Sequence, residues 1–326
     1  MLYFCTEKIA IYTMSKVSII GVGAVGTSCA YCLAQKGLVN EIVLLDIKPG
    51  VAEGRALDMR QAAAIQRFDT NVVGVTDDYT VTAHSDIVVV TSGMSRKPGM
   101  TRNDLIRTNA AIVKSVVSQV SQYSPEAIIL MVSNPLDVLC YCAHLVSKFP
   151  KNRVMGMSGL LDIARYKSFI SEKLHVSTKD IHALILGGHG NTMVPMPRYT
   201  TIGGIPLRQW MEKAEIDEVI DRTRMGGDEL INLLGTSAWH AAGAAICEMI
   251  EAIVCDQKRV FPVCSYLTGE YGLNDIFIGV PTVLGAGGVE RVIELELDEE
   301  DSIRFYESEK VVKQNVELLK AMMAQL

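Results

Sequence analysis

The sequence predicts an α/β protein in which a doubly wound parallel sheet is followed by an α+β portion with antiparallel strands. Three observations predict it. Short, near-continuous apolar runs at 16–20, 41–46, 71–75, 86–91 and 127–132 alternate with helical stretches, as strands buried on both faces do. A glycine-rich turn joins the first run to a helix. Beyond residue 155 the apolar runs at 260–267, 276–284 and 289–297 are joined by Gly-containing turns, and the last alternates with polar positions, which marks antiparallel pairing.

At 326 residues the chain has room for two domains, each with a sizeable core. A composition of 49% apolar and 21% charged residues is ordinary for a globular protein. The net charge of −6 gives no support to nucleic-acid binding. No uncharged apolar run is long enough to span a bilayer, so no membrane partner is expected. The longest candidate, 237–255, is interrupted by Glu248 and Glu251 and reads as a core helix. Of eight cysteines, Cys29 and Cys32 fall on one face of a helix over 27–36, and Cys140 and Cys142 share another helix. No second C-x-x-C or H-x-x-x-H completes a zinc set, so the expectation is free thiols in a reducing cytosol and no metal. Residues 1–13 are interrupted by Glu7 and Lys8 and lack a small-residue cleavage site. They read as a short extension or an over-long start, not a signal peptide.

The run at 16–20 leads directly into Gly21-Val22-Gly23-Ala24-Val25-Gly26. A helix follows, and the strand at 41–46 ends in Asp46. Strand, glycine turn, helix and strand within roughly thirty residues form the Rossmann-type unit that binds dinucleotides. Gly21 makes the tight turn, Gly23 lets backbone approach a pyrophosphate, and Gly26 lets the helix pack closely on the strand. The helix N-terminus faces the phosphates. Asp46, twenty positions beyond Gly26, would accept bonds from a ribose diol and repel a 2′-phosphate, which favours NAD over NADP.

The strands at 71–75, 86–91 and 127–132, with helices over 51–65 and 104–122, complete a parallel sheet that binds ligands at the C-terminal ends of its strands. Two loops follow strands there. One carries Arg96 and Arg102 on a segment punctuated by Pro98 and Gly99. Each guanidinium is a permanently charged planar fork that fits a carboxylate, so the loop reads as an anion clamp or as a solvated basic segment. The other holds Ser133-Asn134-Pro135, where Asn134 either orients a ligand or simply starts a turn.

A helix over 158–174 contains Asp162 and Arg165, three apart and on one face. A strand over 181–186 ends in Gly187-Gly188-His189-Gly190, whose glycines would open space for a ligand beside the imidazole. Strands over 260–267 and 276–284 pair through the turn at 268–272. A third, over 289–297, alternates Ile293, Leu295 and Leu297 with Glu294 and Glu296. A closing amphipathic helix aligns Val312, Val316, Leu319 and Met323. The chain divides into a 1–13 extension, a 14–155 nucleotide-binding domain and a 156–326 substrate domain.

Together these motifs resemble those of the lactate/malate dehydrogenase family, and within it the malate dehydrogenases of the lactate-dehydrogenase-like branch. They are the glycine turn, Arg96-Lys97-Pro98-Gly99-Met100-Thr101-Arg102, Val132-Ser133-Asn134-Pro135, Leu161-Asp162-Ile163-Ala164-Arg165 and Gly187-Gly188-His189-Gly190, in that order over nearly the whole chain from Met14. The resemblance implies reversible NAD-dependent hydride transfer between (S)-malate and oxaloacetate. It implies that His189 takes the proton with Asp162 as carboxylate partner, that Arg165 clamps the C1 carboxylate, and that Arg102 polarises the C2 oxygen. Arg96 falls where the family sets specificity, arginine going with malate and glutamine with lactate. Gly21, Val22, Gly23, Ala24, Val25, Gly26, Asp46, Asn109, Val132, Ser133 and Asn134 would contact the cofactor, and Asn134 also the substrate. Family members of this branch are usually dimers or tetramers, so a cytoplasmic homo-oligomer is expected. One position departs: Asn191 stands where the family usually carries aspartate, which bears on the pKa of His189 and the packing of its loop. Two rivals remain. A lactate or other 2-hydroxy acid dehydrogenase would need Arg96 to point away from the ligand. A nucleotide sensor without turnover would be expected to have lost His189, Asp162 or Arg165.

Overall fold

The computed structural model describes residues 15–94 and 100–323. The first half runs β1 (Lys16–Ile20), α1 (Ala24–Lys36), β2 (Glu41–Asp46), α2 (Val51–Gln66), β3 (Asn71–Thr76), β4 (Ile87–Val90), α3 (Arg102–Tyr123), β5 (Ile128–Met131), α4 (Leu136–Ser147) and β6 (Val154–Gly156). Then come α5 (Gly159–Leu174) and the short strands β7 (Ile181–His182), β8 (Ile185–Leu186), β9 (Val194–Pro195), β10 (Thr201–Ile202) and β11 (Ile205–Pro206). The chain closes with α6 (Lys213–Leu234), α7 (His240–Val254), β12 (Arg259–Thr268), β13 (Asn274–Gly285), β14 (Gly288–Val292) and α8 (Glu299–Met323).

A nine-stranded sheet, ordered β14-β13-β12-β6-β5-β4-β1-β2-β3, organises these elements. From β6 to β3 all pairings are parallel, the Rossmann order. β12 joins β6 antiparallel at Cys264 and Gly156, and β13 and β14 continue in that sense. The antiparallel strands expected in the second half therefore extend the parallel sheet and do not make a separate one. The junction needs glycine: a Cβ on Gly156 would lie 2.5 Å from Cys140 Sγ.

Successive strand residues point to opposite faces, and here both faces are covered. Val17, Ile19, Leu44, Val89 and Leu130 enter a core beneath α1, α2 and α7. Ile20, Leu45, Val90, Ile129 and Met131 enter a second core beneath α3, α4 and α8. This two-sided burial is why the strands read as unbroken apolar runs. A third cluster packs α5 against α6.

Three details differ from the sequence reading. The strand expected over 181–186 is interrupted at Ala183 and Leu184, and its halves pair in different small sheets. The strand expected over 289–297 ends at Val292. Beyond it, the Tyr271 hydroxyl donates to the carbonyl of Ile293 at 2.9 Å and accepts from the amide of Leu295 at 3.0 Å. A buried side chain there replaces the ladder. The long helix α6 had no counterpart in the sequence reading. The 237–255 stretch forms α7, whose buried side chains pack against α1, as a core helix does.

Phe305 on α8 is fully buried and packs against Tyr271 in a tilted ring pair at a centroid distance of 5.1 Å. Phe305→Ala should lower stability by about 3–5 kcal/mol, measured by urea unfolding. A loss below about 1 kcal/mol would mean that α8 is not an integral part of the core.

Candidate active site

The glycine turn after β1 is forced by contact. Gly21 has φ +95°, and a Cβ there would lie 2.6 Å from the amide nitrogen of Ser92, beyond β4. A Cβ on Gly26 would lie 2.3 Å from the Gly21 carbonyl oxygen. Gly23 is the contrasting case: nothing stands within 4 Å of the place its Cβ would take. It is the N-cap of α1 and offers no side-chain cap. Open backbone amides at a helix N-terminus, with room in front of them, suit a phosphate group. Ala24 and Val25 form the first turn of that helix, and Val25 also lines the cavity described below. Asp46 turns back toward the same loop. One oxygen accepts from the Val22 amide at 2.7 Å and the other from the Lys48 amide at 2.9 Å. A carboxylate has about four acceptor positions, so capacity remains for a ribose diol.

The loops after β4 and β5 are tied by Asn109 of α3. Its Oδ1 accepts from the Met94 amide at 2.8 Å, and its Nδ2 donates to the carbonyls of Met94 at 3.1 Å and Asn134 at 2.7 Å. Asn109 is buried, so it shapes the cleft by joining the loops. Ser133 donates its hydroxyl to the carbonyl of Ser92 at 2.6 Å. Val132 is buried while Asn134 is exposed, and both line the cavity. Arg102 is exposed at the first turn of α3, where Thr101 and Asp104 form a reciprocal capping box. It is not among the residues that line the cavity. Arg96 lies outside the described residues.

The chemistry-bearing side chains converge from α5 and the loop after β8. His189 Nδ1 is 2.9 Å from Asp162 Oδ2, and Arg165 donates to Asp162 Oδ1 at 3.1 Å. The Asp162 side chain is 1% exposed. A carboxylate at Nδ1 places the imidazole proton there and leaves Nε2 as the basic nitrogen. Burial works most strongly against charging His189, but the charge and hydrogen bond of Asp162 and the charge of Asp137 together outweigh it, so the pKa is raised above its ordinary 6.5. Arg165 has a further donor in hand: its Nε is buried without a partner among the described residues. Buried donors of this kind call for an acceptor.

The glycines around His189 do not all open space, contrary to expectation. A Cβ on Gly187 would lie 2.7 Å from Ser308 Oγ, and one on Gly188 would lie 2.7 Å from a methyl of Val312. These two admit protein, not ligand. Gly190 alone faces open space, and with Asn191 it lines a cavity of about 260 Å³ together with His189, Arg165, Asn134 and Leu161. A larger cavity, about 660 Å³, opens at the N-terminal ends of β1, β4 and β5. It holds none of this constellation, so chemistry and not volume marks the site.

Four residues that contribute escaped the sequence reading. Arg224 of α6 lines the cavity, with its Nε donating to the carbonyl of Met193 at 3.2 Å. Gly226 gives Arg165 room, since a Cβ there would lie 3.3 Å from its Cδ, and Gly227 lies alongside. A glycine pair inside a 22-residue helix was a usable signal, because each costs about 1 kcal/mol relative to alanine. Asp137, a buried carboxylate in the apolar start of α4, accepts the His189 amide at 3.1 Å.

A family profile described as lactate/malate dehydrogenase, NAD binding domain, matches residues 15–156. A second, described as lactate/malate dehydrogenase, alpha/beta C-terminal domain, matches 160–323. The chain is 55% identical to a malate dehydrogenase of Cytophaga hutchinsonii over 304 residues, covering 93% of this chain and 97% of that protein. It is 51% identical to a malate dehydrogenase of Salinibacter ruber, covering 93% and 96% of the two chains. The solved structure of a malate dehydrogenase from Salinibacter ruber superposes with a TM-score of 0.91 at 48% identity, covering 95% of this chain and 99% of that one.

The Gly26 contact makes the nucleotide cleft testable. Gly26→Ala should weaken NADH binding about fivefold or more, since such overpacking costs typically about 1–3 kcal/mol. Fluorescence titration with NADH reads the change, and an unaltered Kd would dissociate the glycine turn from the cofactor.

Proposed function

The chain belongs to the lactate/malate dehydrogenase family, and on that premise we propose that it is a malate dehydrogenase interconverting (S)-malate and oxaloacetate with NAD. The observation that carries the site assignment is the buried Asp162–His189 pair beside Arg165, whose Nε has no partner among the described residues. NAD, when bound, accepts the hydride from C2. Everything else falls to side chains. His189 Nε2 takes the hydroxyl proton, and Asp162 holds the ring and stabilises the imidazolium. Arg165 binds the C1 carboxylate through the donors that Asp162 leaves over. Arg102 is assigned to the C2 oxygen, and this rests on the motif, not on distance. Asn134 orients substrate and carboxamide from the end of β5. Gly21 to Gly26, Asp46, Asn109, Val132 and Ser133 form the cofactor side of the cleft. The division into nucleotide and substrate domains near residue 155 belongs to the same reading.

Arg96 is the proposed selector. Malate carries a second carboxylate where lactate has a methyl group, and an unpaired guanidinium in a dry site costs roughly 2–5 kcal/mol. Exposed apolar side chains, including Ile65 and Leu233 at 80% and 75% exposure, support a homo-oligomer, dimer or tetramer. Cys29, Cys32, Cys140, Cys142, Cys247 and Cys264 are free thiols, which supports a cytoplasmic setting. Among the described residues no helix is long and apolar enough to cross a membrane.

The following outcomes are expected. Malate oxidation needs neutral His189, so its kcat/KM should rise with pH through the raised pKa, above 6.5, while oxaloacetate reduction falls over the same interval. The pair's contribution to stability has the matching sign, full below 6.5 and lost as pH rises through the raised value. Asp162→Asn should cut turnover on the order of 100-fold or more and move the inflection to lower pH, and an unmoved inflection would remove Asp162 from that role. Arg96→Gln should shift preference from oxaloacetate towards pyruvate by roughly 30-fold or more. The ratio of kcat/KM for the two ketoacids decides it, since an unchanged ratio leaves Arg96 without a part in specificity.

A further inference from the structure

We propose that Asp137 is a positioning residue for His189: it anchors the backbone of the catalytic turn and supplies a second negative charge that favours the imidazolium. The proposal rests on the assignment of His189 as the base. Asp137 stands in the first turn of α4, immediately after Asn134-Pro135, and is 7% exposed. Its Oδ2 accepts the His189 amide at 3.1 Å, and its Oδ1 accepts from Cys264 Sγ of β12 at 3.3 Å. The turn is held from other sides as well. Gly188 donates its amide to Ser308 Oγ of α8 at 2.8 Å. Gly187 and Gly279 of β13 exchange two backbone bonds, at 2.9 and 3.0 Å. Of these anchors only Asp137 carries charge.

That charge is what a plain structural anchor would not need. A hydroxyl or an amide oxygen also accepts an N–H, without the penalty of burying a carboxylate. Asp137 has a neutral amide and a thiol as direct partners, and burial pushes its carboxyl up to about 6, while the imidazole opposes that rise. The coupling is mutual, so a charged Asp137 helps His189 hold its proton. Among the described residues, the charged groups facing His189 are Asp162 and Arg165 from α5 and Asp137 from α4, with Arg224 and Asp228 of α6 across the cavity. β12, β13 and α8 present the neutral Cys264, Gly279 and Ser308.

The test compares Asp137→Asn, Asp137→Ala and Ser308→Ala in the full-length protein, with NADH affinity and thermal melting as controls. Asp137→Asn keeps an acceptor and removes the charge. It should bind NADH as the parent does and move the inflection of the malate-oxidation pH profile down by about one pH unit. Asp137→Ala also removes the anchor and should lower kcat on the order of 10- to 100-fold with the KM for NADH unchanged. Ser308→Ala loosens the turn without altering charge and should leave the inflection in place. An unmoved inflection in Asp137→Asn, or an equal shift in Ser308→Ala, overturns the electrostatic role. Parental kcat in Asp137→Ala overturns the anchoring role. Should Asp137→Asn fail to fold, Asp137→Ser, which retains a neutral acceptor, gives the same comparison. His189→Asn separates the two assignments, because retained turnover there would mean that the base lies elsewhere, whatever Asp137 does.

Discussion

The 2.9 Å contact between His189 Nδ1 and Asp162 Oδ2 is the interaction on which the rest of the site depends. Asp162 belongs to α5 and His189 to the loop after β8, so the bond exists only if the helix and the loop are each fixed independently. The helix is fixed by its apolar face, through Tyr166 and Ile170, against α6 and the small sheets. The loop is fixed by polar contacts, from Asp137, Ser308 and Gly279, and by glycines that let Ser308 and Val312 press close. A ring held in this way spends little conformational freedom when a substrate arrives, which is the physical basis of pre-organisation.

The charge arrangement around that ring explains how one small cavity holds so many ionised groups. Asp162 is shared between an imidazole and a guanidinium, so its buried charge is matched on two sides. Asp137 sets a further negative charge behind the loop, and Arg165 and Arg224 set positive charge at the cavity wall. A buried guanidinium whose Nε has no partner among the described residues calls for an acceptor, which a substrate carboxylate would supply. The substrate of the proposed reaction thus completes the electrostatic balance of the site.

The nucleotide half works by a different economy. Its side chains are mostly committed to backbone: Asn109 clasps two loops, Ser133 ties β5 to the end of β4, and Asp46 braces the glycine turn. What remains for a ligand is main chain and space, above all the uncapped N-terminus of α1 with the opening before Gly23. This suits a phosphate-bearing group, because amide dipoles meet an anion without a buried compensating charge.

Local sequence determined the elements whose cause is local. The apolar runs became β1 to β5 because burial on both faces removes any alternation. The glycine turn was legible because Gly21 and Gly26 answer backbone requirements and Gly23 leaves room before the helix, and the three-residue spacing of Asp162 and Arg165 placed them together on a helix. The antiparallel strands β12 and β13 were legible too, but not that they would extend the parallel sheet across Gly156. Tertiary structure alone decided three other matters. The strand expected over 289–297 stops at Val292 because a distant tyrosine hydroxyl satisfies its backbone. Gly187 and Gly188 face side chains of α8, more than a hundred residues away in sequence. Asp137 acquired its place beside His189 because α4 and the loop after β8 pack together on one face of the sheet. A residue's type and spacing reveal what it is able to do. Which partner it meets across a gap of 52 positions depends on the packing of the whole chain.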